Sequence, residues 1–128
     1  MLVAGAAGAV LGGVPSTLWA VARGDDPLEA TLAAGSLLLP HEMRRSRLLA
    51  AALPVHFTLS LGWACALERV FRRGVVAGAF AGLGIAALDL GVAGRMFPRV
   101  RALPVLPQLA DHVAYGATVA YVVGRFRA

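Results

Sequence analysis

Residues 75–94 read VVAGAFAGLGIAALDLGVAG and hold a single ionisable side chain, Asp89. A helix rising about 1.5 Å per residue needs roughly 20 apolar residues to cross about 30 Å of hydrocarbon, and this run has that length. Gly74, Gly78, Gly82 and Ala86 recur every fourth position. They give one helix face on which a neighbouring backbone can approach closely, within one chain or between copies in an oligomer.

Working outward, Arg72-Arg73 precede this run and Glu68-Arg69 close an earlier one over residues 48–67, interrupted by Pro54. Residues 2–22 form a further charge-free run with small residues at Ala4, Gly8 and Gly12 and at Gly5, Ala9 and Gly13. Pro15 beside the glycine pair predicts a kink, with Ser16 or Thr17 taking up the freed carbonyl. No charged leader precedes this run, so it reads as a retained helix and not a signal peptide. After Arg95, Arg99 and Arg101, prolines at 104 and 107 lead into a fourth span over 107–126, ended by Arg125 and Arg127. Its apolar part is short, and it reaches bilayer length only by including Asp111 and His112.

Between the first two spans, Asp26-Pro27-Leu28-Glu29 has the residues of a helix start. Pro40 limits that helix to 27–39, too short to span, which predicts an interfacial or re-entrant segment. The fold expected is therefore all-α: one membrane domain over 1–128, a bundle of four transmembrane helices with a short helix after the first.

Composition points the same way. Of 128 residues, 59% are hydrophobic and 15% charged, and the net charge of +5 comes from arginine alone. These arginines punctuate apolar runs as headgroup anchors and do not gather on a solvated face, which argues against nucleic-acid binding. Loops one and three carry Arg23, Arg44, Arg45, Arg47, Arg95, Arg99 and Arg101, against Arg69, Arg72, Arg73, Arg125 and Arg127 on the other side. Seven against five is too even to set the sidedness by count. The short second loop and the C-terminal arginine pair lean towards cytoplasmic termini in a bacterial inner membrane, and the longer first loop pulls the other way. Cys65 is alone, so no intramolecular disulfide forms.

Ionisable residues at membrane depth are costly and mark bundle interiors or cavities. His56, Asp89, Asp111 and His112 fall at similar depth on the side of loops one and three. Ser60 shares a helical face with His56, and Tyr115 and Thr118 share one with Asp111. The expectation is a polar pocket that binds or relays a proton or small cation. Two alternatives stand beside it: a structural His/Asp pair in an assembly subunit, and haem or divalent-metal ligation by the histidines and carboxylates, although no cofactor is expected. Ser16, Ser36, Ser46 and Ser60 lie in no nucleophile elbow, and the chain reads as non-enzymatic.

His56-Phe57-Thr58-Leu59-Ser60, the Gly-rich span after Arg72-Arg73, and Leu109-Ala110-Asp111-His112 together resemble the YagU-like family of small bacterial inner-membrane proteins. That resemblance implies a homo-oligomer linked to acid tolerance. Asp89 stands where the family pattern suggests histidine.

Overall fold

The structure, a computed structural model, describes residues 1–126, so Arg127 as a span terminus lies outside the described residues. The described chain is helical, with no strand. Three helical columns are long and apolar enough to cross a membrane: Leu2–Arg23, Arg45–Ala66 and Val75–Met96.

The first column is not one kinked helix but two, α1 (Leu2–Leu11) and α2 (Val14–Arg23), separated at Gly12-Gly13. Pro15 sits in the first turn of α2, where its missing N–H is no loss, so the proline starts a helix and does not bend one. The Ser16 and Thr17 hydroxyls donate to the Gly13 carbonyl at 3.3 and 2.8 Å. Gly24, in the left-handed region at φ 73°, closes α2.

The connecting segment is shorter in helix than the 27–39 expected: α3 covers only Glu29–Ser36. Asp26 explains the delay, because its carboxylate accepts the Leu28 amide at 2.9 Å and the Asp26 carbonyl accepts the Glu29 amide at 3.2 Å, which makes a turn ahead of the helix. The same carboxylate pairs with the Arg45 guanidinium at the start of α4 (Arg45–Ala66), and this contact holds its pKa down at about 2. Glu42 prepares that helix too. It accepts the Met43 and Arg44 amides at 3.0 and 2.8 Å and pairs with Arg47 at 3.2 Å, and these bonds, led by the Arg44 amide, keep its carboxyl below the ordinary 4.5.

After α4, which carries Pro54 in its interior, a short α5 (Glu68–Phe71) turns the chain into α6 (Val75–Leu88). The third column then widens into a π-helical turn, Asp89–Ala93, before α7 (Gly94–Met96). A single turn, α8 (Pro98–Ala102), leads to α9 (Val105–Arg125).

α9 is the helix around which the others gather, packing against α6, α1 and α2, while α4 packs against α1 and α3. Its buried face holds Tyr115, Gly116, Val119, Ala120 and Val123. Glycines set the spacing: Gly78 lies against Gly116 and Ala120, and Gly82 against the backbone of His112 and Val113. Gly74 does not belong to that face. It has open space around its Cβ position and a φ of 112°, so it serves the turn that opens α6. The face expected as a contact surface is thus turned inward onto α9.

The two ends of the molecule are distinct. Glu29 pairs with Arg99 at 3.1 Å, which joins the start of α3 to α8. Met1, Glu68, Arg72, Val123 and Phe126 surround one small pocket at the opposite end. α9 therefore runs back along the full height of the other columns. Its lower hydropathy comes from Gln108, Asp111 and His112, which face the interior and not the periphery.

Candidate functional site

A cavity of about 580 Å³ opens beside the break in the first column. α3 and α8 lie over it, α4 and α9 flank it, and the π-helical turn contributes Asp89 and Leu90. Its ionisable lining side chains are His56, Asp89, Asp111 and His112, with Ser60 and Tyr115 also in the wall. Thr118 is half-buried one turn further along α9, outside the lining.

The four ionisable side chains share the cavity without forming one hydrogen-bonded cluster. They divide into two capping contacts and one pair.

The first cap answers the N-terminus of α2. The Ser16 amide, an orphan donor of that first turn, gives its hydrogen to Asp111 Oδ1 at 2.7 Å. A carboxylate at a helix N-terminus also meets the positive end of the macrodipole. The second cap answers the C-terminus of α1. His56 Nε2 lies 2.6 Å from the Ala9 carbonyl, one of the last acceptors before the break. That bond needs only a neutral ring with its proton on Nε2. His56 lines the same cavity as the other three ionisable groups, but its hydrogen bond goes to backbone of α1 and not to them.

The pair is His112 with Asp89. His112 Nε2 lies 3.2 Å from Asp89 Oδ2, and its Nδ1 lies 2.7 Å from the Gln108 carbonyl one turn earlier. Both ring nitrogens thus face acceptors. A carbonyl can only accept, so Nδ1 carries a hydrogen. A neutral ring would then turn a lone pair towards a carboxylate. The arrangement is satisfied only when the pair holds one more proton, either as an imidazolium beside a carboxylate or as a neutral ring beside a carboxylic acid. The side chains are 19% and 33% exposed, so water does not fully substitute for that proton.

Tyr115 stiffens the wall. Its hydroxyl donates to the Ser60 carbonyl, and its ring meets Phe71 edge-on at 6.4 Å between centroids. Gly8 and Gly12 lie against Tyr115, which lets α1 reach α9. Among the described residues, no three His, Cys, Asp or Glu side chains converge as a metal site.

Sequence reasoning did not find Ser16, Ala9 or Gln108 as partners, because two contribute only a carbonyl and one its amide. The π-helical turn at Asp89 had no signature either, although such turns recur at functional sites. Compared with family models, curated proteins and solved structures, the chain matches none of them.

Proposed function

We propose that the chain is a multi-pass protein of the bacterial inner membrane that binds and exchanges a proton at His112 and Asp89 beside an intramembrane cavity. The observation carrying this reading is that both nitrogens of His112 face acceptors. Losing the pair's proton opposes a lone pair to a carboxylate and favours opening the contact between α9 and the π-helical turn. Protonation is thereby coupled to helix packing, which is what a proton-responsive membrane protein requires. The four-span topology with α3 in the interface is part of the proposal, supported by the Glu29–Arg99 contact at one end and by the grouping of Met1, Glu68 and Phe126 at the other. Homo-oligomerisation and a role in acid tolerance, implied by the YagU-like resemblance, are its proposed setting.

A second reading, a packing subunit with no proton exchange, has its own support: His56 and Asp111 serve the ends of a broken helix. Nitrogen and carbon NMR of His112 and Asp89 in detergent, alongside melting curves, separates the two. Proton exchange requires that wild type show either an imidazolium or a protonated Asp89 carboxyl, and that this extra proton be gone in Asp89→Asn, whose amide N–H donates to Nε2 instead. A wild-type ring with one proton beside an ionised carboxylate sinks the proposal. A melting temperature that falls in Asp89→Asn, with proton occupancy unchanged, favours packing alone.

A further inference from the structure

The cavity is far larger than a proton needs. Its volume of about 580 Å³ suits a small organic molecule. Most of its wall is aliphatic, from residues such as Ala34, Leu53, Leu59, Leu90 and Leu103, and Trp63 adds an aromatic surface. A ligand that fits is mainly apolar.

The charge of the wall is one-sided. Among the described residues, no arginine lines the cavity, although the chain is rich in arginine. When the His112–Asp89 pair holds its proton, its net charge is zero, and Asp111 remains as a second carboxyl in the wall. Its hydrogen-bond partner, the amide of Ser16, is a neutral dipole. A carboxylate in an apolar wall gains from an opposite charge brought by a ligand. His56 turns its Nε2 to the Ala9 carbonyl and makes no hydrogen bond to Asp111.

We propose that this cavity binds a lipophilic organic cation, with the charge held at Asp111 and the apolar body against the aliphatic wall and Trp63. The proposal rests on the cavity being a functional site, and it uses a carboxylate other than the one assigned to proton exchange. Delocalised or alkylated cations meet both demands at once. They carry little hydration to remove, and aromatic side chains attract them. Anionic amphiphiles of the same shape are rejected by the same carboxylate.

Tetraphenylphosphonium and tetraphenylborate, near-identical in shape and opposite in sign, are the probes. Equilibrium dialysis of the full chain in detergent is expected to give saturable binding of the phosphonium and none of the borate. Asp111→Asn, whose side-chain oxygen can still accept the Ser16 amide, is expected to weaken the phosphonium at least about tenfold. Ala34→Phe, which narrows the cavity and leaves all four ionisable residues in place, is expected to abolish saturable binding. Equal binding of both probes overturns the proposal, as does phosphonium binding unchanged in both variants or never saturable. If His112 and Asp89 hold their extra proton while the phosphonium fails to saturate, the cation proposal alone falls. If the phosphonium binds as expected and the extra proton is absent, the proton reading alone falls.

Discussion

The Ser16 amide and the Asp111 carboxylate, 95 positions apart, meet at 2.7 Å and close the upper half of a broken membrane helix. Such a break leaves donors and acceptors that lipid cannot satisfy. His56 answers the other half at the Ala9 carbonyl, so two helices repair the two ends of one gap. Replacing Asp111 with leucine strands the amide and should cost about 1–3 kcal/mol. Asparagine keeps an acceptor and should cost less. Melting in detergent ranks them, and equal losses for the two variants would show that the contact carries no stability.

Glycine positions along the third column differ sharply in what surrounds them. A methyl group at Gly82 meets the His112 carbonyl and Val113 of α9, whereas Gly91 has open space. Overpacking against backbone should make Gly82→Ala destabilising by about 1–3 kcal/mol. Gly91→Ala should stay within about 0.5 kcal/mol, as surface changes usually do. The comparison is made by thermal unfolding of the purified variants. A Gly91 substitution as damaging as the Gly82 one would place the close contact on the wrong face.

Acid should loosen the loop over the cavity before it loosens the helices. Asp26 has its carboxyl held down to about 2 by Arg45 and the Leu28 amide, from an ordinary 3.8. A depressed folded-state pKa stabilises above the unfolded value, and that contribution is lost as pH falls through the folded one. Glu42, also depressed, acts in the same sense. Hydrogen exchange should therefore rise in residues 26–37 as pH drops from about 4 towards about 2, after correction for intrinsic rates. Asp26→Asn should flatten that rise. Protection that stays level in wild type across this window would remove the ion pair from the loop's stability.

Membrane sidedness tests the four-span proposal. Single cysteines replacing Met43, Arg73, Arg101 and Arg125, in a Cys65→Ser background, are labelled with an impermeant maleimide. Cys65 must be removed because it is free and exposed. Positions 43 and 101 should label from one side, and 73 and 125 from the other. If 125 labels together with 101, α9 does not cross.

Much of this arrangement was legible from apolar run lengths. Residues 75–94 mark the third column, and Asp89 and His112 could be matched in depth by counting along helices. What the residues could not reveal was anything that depends on a backbone atom. His56 gives no sign in sequence that its partner is the Ala9 carbonyl, and nothing around Asp89 announces a π-helical turn. A proline within an apolar run usually bends it, but Pro15, beside two glycines, begins a new helix. Gly74 fitted a fourfold spacing by position, while its positive φ assigns it to a turn.

The gap between α1 and α2 also bears on how the chain is made. Ten residues of helix reach only about 15 Å, so neither half of the first column spans the hydrocarbon by itself. A ribosome delivers α1 and α2 long before His56, and His56 long before Asp111. Until the last helix arrives, the first one holds an amide with no acceptor in the bilayer. Translation order thus leaves the earliest segment unfinished until the latest one docks, and a chain interrupted before α9 would present an open seam to the proteases that survey the membrane.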